Sequence, residues 1–241
     1  MLLNNNNKII AIIPARGGSK GVKRKNIRNF NGYPLIYWTI KEARKSKYID
    51  RLVVSTEDQE ISEICKKYNV EVIHRPLELA TDEAPTIDVL LHVLNWLSIE
   101  DGYNSDYTLL LQCTSPFRKA SQIDDAIEML LSKSEEYDSL KSISLENYPP
   151  WWLNIIDENG SLKRLFKYEG ENKPTRRQDF PQTYRSNGAI KICKTKQLID
   201  KRTISAGKTL PYIMGFKESI DIDTEEDLEY AEFLAAKAGS V

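Results

Sequence analysis

An apolar run from Ile9 to Ile13 stops at Pro14 and opens into Ala15-Arg16-Gly17-Gly18-Ser19-Lys20-Gly21-Val22-Lys23-Arg24-Lys25-Asn26. A short β-branched run without polar residues suits a strand buried on both faces, and therefore a parallel sheet clothed by helices. Such sheets place ligands beyond the C-terminal ends of their strands, where this loop begins. Gly17, Gly18 and Gly21 permit tight turns and close backbone approach, and Arg16, Lys20, Lys23, Arg24 and Lys25 supply the charge a polyphosphate needs. Two familiar phosphate loops are excluded by spacing. Gly17 and Gly21 are one residue too close for Gly-x4-Gly-Lys-Ser/Thr, with Val22 where Lys is required, and the adjacent first glycines break Gly-x-Gly-x-x-Gly. A solvated basic surface loop is the plain alternative, and the loop by itself leaves both readings open.

The chain beyond it alternates. Residues Pro34 to Lys47 place Leu35, Ile36, Trp38, Thr39, Ile40 and Ala43 at helical spacing, and Ile49 to Ser55 reads as a strand. Ser55 to Asp58 offers caps for a helix whose inner stripe is Ile61, Ile64 and Cys65, and Glu71 to His74 is a further strand. Next come a helix from Ile87 to about Leu97, a strand at Tyr107 to Leu111 and a helix from Ser121 to Leu131. This βαβαβ order predicts an α/β fold with a doubly wound, mostly parallel sheet. After a strand at Ser139 to Leu145 the alternation breaks at Tyr148-Pro149-Pro150-Trp151-Trp152. Leu153 to Ile156 and Leu162 to Phe166, flanking Asn159-Gly160, predict a hairpin. Residues 146–185 thus read as an arm inserted into a single domain spanning 1–241. Its aromatic residues Trp151, Trp152, Phe166 and Tyr168 suit either a dimer contact or a flap packed on its own domain. Asn187 to Cys193, Lys194 to Lys201 and Pro211 to Phe216 then restore strand, helix and strand, and Thr224 caps a last helix over Glu225 to Lys237.

Charge is balanced, 34 basic against 35 acidic residues, so the chain as a whole does not read as a nucleic-acid binder, and the basic cluster is a local feature suited to a small anion. Cys65, Cys113 and Cys193 lack metal-like spacing and read as reduced thiols of a cytoplasmic protein. Met1 to Asn7 reads as a polar tail rather than a signal peptide, and no apolar run approaches a membrane span.

Two further polar clusters leave predicted strands or loops. Gln112-Cys113-Thr114-Ser115-Pro116 offers an amide and hydroxyls without charge, suited to reading a base, ribose or sugar. In Ser219-Ile220-Asp221-Ile222-Asp223-Thr224, an extended backbone puts Asp221 and Asp223 on one side, as ligands of a hard divalent cation would be. Capping of the last helix by Asp223 or Thr224 is the competing reading.

With Ala15 to Gly21, Lys25-Asn26, Arg75-Pro76 with Leu79-Ala80, Leu110-Leu111-Gln112-x-Thr114-Ser115-Pro116, Arg185-x-Asn187-Gly188-Ala189 and Asp221-Ile222-Asp223-Thr224 in this order, the chain resembles the CMP-sialic acid synthetases, the acylneuraminate cytidylyltransferases, over about residues 8–235. The resemblance implies a Rossmann-like nucleotidyltransferase fold, CTP and Mg²⁺ (or Mn²⁺), a dimerisation arm and thus a homodimer, and a nine-carbon 2-keto sugar acid (a nonulosonic acid) as acceptor. On this likeness Ala15, Arg16, Gly17, Ser19, Lys20, Gly21, Lys25, Asn26, Arg75 and Thr86 bind the nucleotide. Gln112, Thr114, Ser115, Arg177, Arg185 and Asn187 contact the sugar acid. Asp221 and Asp223 hold the metal and join Arg16 and Lys25 in catalysis. The chain departs from the pattern at Cys113, where the family often has proline, and at Trp151-Trp152, where a lysine near the start of the arm is expected. The second departure suggests a less polar, di-N-acylated acceptor of legionaminic or pseudaminic type. Related sugar nucleotidyltransferases and non-catalytic nucleotide-binding modules are the alternatives.

Overall fold

The computed structural model describes residues 7–168 and 174–237. In chain order it contains β1 (Ile9–Pro14), β2 (Asn29–Phe30), β3 (Tyr33–Pro34), α1 (Leu35–Arg44), β4 (Arg51–Thr56), α2 (Gln59–Lys67), β5 (Glu71–His74), α3 (Thr86–Glu100), β6 (Tyr107–Leu110), α4 (Ala120–Leu131), β7 (Ser139–Glu146), β8 (Asn154–Ile156), β9 (Leu162–Arg164), β10 (Thr183–Lys194), α5 (Thr195–Lys201), β11 (Thr209–Ile213) and α6 (Glu225–Lys237). Seven strands form one sheet in the order β11-β7-β10-β6-β1-β4-β5. Only β10 runs against its neighbours, so the sheet is mostly parallel, as the alternation predicted.

β1 sits centrally because nothing in it tolerates water: Ile9 to Ile13 are all fully buried. Ile9, Ala11 and Ile13 face a core with Ile36 and Ile40 of α1, Ile61 and Cys65 of α2, and Ile123, Ile127 and Leu130 of α4. Ile10 and Ile12 face Leu90, Val93 and Leu97 of α3 and Leu198 of α5. Period-two alternation on a strand covered on both sides produces this doubly wound layering.

A third, smaller core decides where the loops go. Val22 of the basic loop is fully buried with Phe30, Trp38, Phe117, Ile222 and Leu228. One apolar residue in the cationic loop and one between the two aspartates therefore share a cluster, which ties the two segments together. Between them lies the small β2–β3 hairpin, absent from the sequence reading, whose turn residues Asn31 and Gly32 both have positive φ (49° and 83°), as a two-residue turn matched to strand twist requires.

The β7–β10 ladder extends to the pair Glu146 and Thr183, and the excursion beyond it carries the β8–β9 hairpin. Its turn places Gly160 at φ 76°, as the Asn-Gly pair predicted. Trp151 stacks on Phe180 at 5.4 Å and meets Tyr168 edge-on, so part of the aromatic content is satisfied within the arm. Leu153, Ile155, Ile156, Leu162, Leu165 and Phe166 remain exposed. Met1–Asn6, most of the expected tail, lie outside the described residues. Among the described residues no helix is long and apolar enough to cross a membrane.

Candidate active site

The exits of β1 and β6, together with the 221–223 segment, converge on one edge of the sheet. Gly21 approaches the segment so closely that a Cβ there would stand 1.9 Å from the Asp223 carbonyl oxygen. Lys25 Nζ lies 2.8 Å from Asp223 Oδ1, and the Ile222 amide donates to the Thr114 carbonyl at 2.9 Å. Three segments far apart in sequence are thereby locked into one wall. Between that wall and the loop after β5 lies a cleft of about 260 Å³ whose lining includes Arg16, Lys25, Asn26, Arg75, Thr86, Gln112 and Thr114. A shallower depression beside it, bounded by Arg16, Gly18, Ser19, Lys20, Thr81 and Asp82, extends the basic edge.

The loop's cations divide by role. Arg24 makes two contacts to Asp58 and one to Glu60, so this arginine anchors the loop to the start of α2 and is not free for phosphate. The Arg24 hydrogen bond holds the Asp58 carboxyl below its ordinary range, and Asp58 also caps α2 by accepting from the Ile61 amide at 3.0 Å. Gly17 donates its amide to Glu57 at 2.6 Å and is packed against Asp58. Arg16 and Lys20 instead converge on Asp82, at 2.6 and 2.9 Å, and Arg16 also donates to the Thr81 carbonyl at 2.8 Å. The anion-sized gap between these two cations is thus filled by a carboxylate of the protein itself. Asn26, almost fully buried, donates to the Arg16 carbonyl at 2.9 Å. Ala15 donates its amide to the Ser55 carbonyl at 2.9 Å and prolongs β1. Arg75 borders the cleft but spends its guanidinium on Ser55 and the Leu79 carbonyl, and burial lowers its pKa.

On the uncharged side, Gln112 reaches toward Gly188: a Cβ there would meet its Oε1 at 2.6 Å, and Asp221 Oδ2 at 3.4 Å. Gly188 has φ 72°, so its lack of a side chain serves both conformation and space. Ser115 is buried with its hydroxyl unpartnered. Asn187 lies in the fold rather than in the cleft, hydrogen-bonded to Ser142 and Ser219. Arg185 is a strand residue 3.8 Å from Glu146, and Arg177 lies on an exposed single turn of the arm. Neither lines the cleft.

The two aspartates differ. Asp221 is largely buried with no hydrogen-bond partner for Oδ1. Burial first, and the charge of Asp223 second, raise its pKa, opposed by the nearby Thr114 hydroxyl. Asp223 is exposed apart from Lys25. The capping work falls to neighbours: Asp227 Oδ2 accepts from the Asp223 and Thr224 amides, and Thr224 Oγ1 accepts from the Asp227 amide. The two carboxylates are therefore not consumed by the helix. An orphaned, desolvated carboxylate oxygen beside a second carboxylate fits a divalent cation. Among the described residues no group of three or more His, Cys, Asp or Glu could hold one, so phosphate or water oxygens would have to complete its shell.

Sequence reasoning did not single out Asp82, Glu57 or Arg118. The first two looked like ordinary loop acids, and nothing local in sequence reports that Asp82 faces Arg16 and Lys20 or that Glu57 accepts the Gly17 amide, both across the loop from distant parts of the chain. Arg118 was visible as the one charge at the end of the otherwise uncharged strand exit from Gln112 to Phe117, which is a usable signal.

A sheet of this order with a polyanion-suited edge defines an α/β nucleotidyltransferase architecture. Solved structures agree on the fold. One titled CMP:2-keto-3-deoxy-manno-octonic acid synthetase complexed with CTP has a TM-score of 0.68 at 14% identity, covering 96% of this chain and 99% of that one. A 4-diphosphocytidyl-2C-methyl-D-erythritol synthase from Anaerococcus prevotii has a TM-score of 0.63 at 16% identity, covering 96% and 100%. The family model described as cytidylyltransferase matches residues 10–239, and the chain belongs to that family. It is 35% identical to an N-acylneuraminate cytidylyltransferase of Streptococcus agalactiae over 91% of its length, but spans about half (51%) of that relative. A CMP-N,N'-diacetyllegionaminic acid synthase of Legionella pneumophila is 36% identical, with 94% of this chain and 96% of that protein covered.

Proposed function

We propose that the protein transfers CMP from CTP to the anomeric hydroxyl of a nonulosonic acid, releasing pyrophosphate. The observation that carries this reading is the joining of the Arg16–Lys25 loop to Asp221 and Asp223 through Gly21, Val22 and Lys25. Cations suited to the triphosphate line the cleft, and carboxylates suited to a metal stand beside it, Asp223 paired with the cleft residue Lys25. Full-length similarity to the legionaminic acid enzyme, and the apolar arm, support a di-N-acylated acceptor.

In this reading Arg16, Lys20 and Lys25 neutralise the triphosphate and the departing pyrophosphate, with Ser19 and Gly21 beside them, while Gly17, its amide held by Glu57, shapes the turn. Asn26 and Thr86 flank the nucleotide, while Arg75 buttresses that wall from behind. Gln112 and Thr114 orient the acceptor, Ser115 lies buried behind them outside the cleft lining, and Asn187 holds the adjoining strand in place. Fixed cations act where negative charge accumulates on phosphate oxygens, and cost no reorganisation during the reaction. Asp221 and Asp223 would hold Mg²⁺ or Mn²⁺, which when bound supplies further charge neutralisation at the phosphates. Arg177 and Arg185 lie outside the cleft of this chain. They would meet substrate through a second protomer, whose docking would also cover the apolar β8–β9 hairpin.

Pyrophosphate release from CTP with a nonulosonic acid, compared between wild type, Asp221→Asn and Asp223→Ala, tests the assignment. Loss of turnover by at least about 100-fold is expected, the scale of a lost charge-stabilising group. Turnover undiminished in either variant removes the carboxylates from the mechanism.

A further inference from the structure

Arg118 lies between β6 and α4 and is almost wholly buried, 2% exposed. Yet it takes part in none of the ion pairs among the described residues. Its Nη1 donates to the Ala189 carbonyl at 2.7 Å and the Gln112 carbonyl at 3.2 Å, and its Nη2 donates to Thr39 Oγ1 at 2.8 Å. Thr39 in turn donates to the Gln112 carbonyl at 3.3 Å. Nε has no partner, and burial lowers the guanidinium pKa to about 10. A buried charge without a carboxylate is costly, and an apolar residue of similar size would fill the same space more cheaply. What the guanidinium provides instead is a rigid planar fork of donors.

The fork grips two backbone points. Gln112 lines the cleft, and Ala189 immediately follows the Gly188 turn over which the Gln112 amide lies. Asp221 Oδ2 approaches the same point. The β6–β10 ladder ends at the pair Leu110 and Lys191, two residues short of Gln112 and Ala189, and beyond that end the two strand exits, with the Gln112 amide beside Asp221, are tied together by one side chain that does not line the cleft.

We propose that Arg118 is a positioning residue for the acceptor: by clamping the Gln112 and Ala189 carbonyls it fixes the Gln112 amide over Gly188, beside Asp221. This rests on the reading that Gln112 contacts the sugar acid. A merely structural arginine would support the fold without being coupled to Gln112.

A double-mutant cycle separates the two. Arg118→Lys keeps the charge but loses the fork. It is expected to lower kcat/KM for the acceptor by about tenfold, a fraction of what 1 Å of misplacement costs, with the KM for CTP within about twofold of wild type. In a Gln112→Ala background the same change should cost almost nothing further, because the amide it positions is already gone. Additive losses, or equal losses toward both substrates, overturn the proposal. Amide hydrogen exchange of the substrate-free protein supplies the second readout. Faster exchange confined to residues 112–115 and 187–190 is expected in Arg118→Lys, and exchange unchanged there overturns the clamp. Should Arg118→Lys not fold, Thr39→Val removes the bridging hydroxyl and should give the same local pattern more weakly; exchange unchanged in that variant also overturns the clamp. Absence of any turnover in wild type would count against the proposed reaction, while the exchange measurement would still decide whether Arg118 holds these two segments.

Discussion

Substituting Gly21 by alanine tests the contact that assembles the site. The added Cβ would lie 1.9 Å from the Asp223 carbonyl oxygen and 3.0 Å from the carbonyl carbon. Both are backbone atoms, and Ile222 beside them is fixed in the small core with Val22, so no flexible side chain can yield. To restore even the tightest tolerated contact the loop has to retreat from the 221–223 segment by about 1 Å, a displacement that costs on the order of 100-fold in rate when it separates catalytic groups. Forcing a methyl into a packed junction also destabilises by roughly 1–3 kcal/mol, or about 2–4 °C of melting temperature per kcal/mol for a chain of this size. Gly18 is the internal control, because a Cβ there meets nothing within 4 Å. The assay is pyrophosphate release from CTP and acceptor, with a thermal melt on each variant. Gly21→Ala should lose about two orders of magnitude in kcat/KM while Gly18→Ala stays near wild type. Wild-type kinetics in Gly21→Ala, or equal losses at both glycines, would refute the reasoning.

Other consequences follow from the charges. Asp82 occupies the gap between Arg16 and Lys20, so a nucleotide has to displace it; Asp82→Asn should bind CTP a few-fold tighter by calorimetry, roughly the worth of exposed ion pairs. That gain should shrink as salt rises, and weaker binding would contradict it. Asp58 has its folded pKa depressed by Arg24, so its stabilisation is present above its unfolded value near 4 and is lost as pH falls through the lower folded value. Accordingly Asp58→Asn should melt lower than wild type at pH 7, and the two melting curves should converge in acid; a constant gap down to the lowest pH would contradict the linkage. Burial pushes the Cys65 and Cys113 thiols up to about 12 and Cys193 to about 11. Alkylating reagent at pH 8 should therefore label no cysteine in the folded protein and all three of the chain's cysteines in denaturant. Labelling of the folded protein would show that the core opens.

Much of the frame was legible in sequence because local pattern and burial agree along it. Ile9 to Ile13 is apolar throughout and is buried throughout. The inner stripe read for α1, from Leu35 to Ala43, is the buried set of that helix, and Glu71 to His74 was bounded to the residue. What sequence could not show is partner choice. Arg24 and Arg16 look alike in a basic loop, yet one is tied to Asp58 and Glu60 while the other faces the cleft. Arg24 also adopts a left-handed conformation, φ 57°, which no composition argument reveals. The role of Val22 was hidden for a related reason, since a lone apolar residue among charges carries no period. Asp227, three residues beyond Thr224, was the available signal that helix capping would not need Asp223. The β2–β3 hairpin escaped because two-residue strands leave almost no pattern, although Asn31-Gly32 marks its turn.

The most direct measurement of the central claim is pyrophosphate release by the wild-type protein with each of the four nucleoside triphosphates, tried against sialic, legionaminic, pseudaminic and deaminated nonulosonic acids in the presence of Mg²⁺. Release confined to CTP, with a di-N-acylated acid as the best acceptor, is the predicted result. Release with a different nucleotide, or binding of CTP without release for any of these acids, would contradict it.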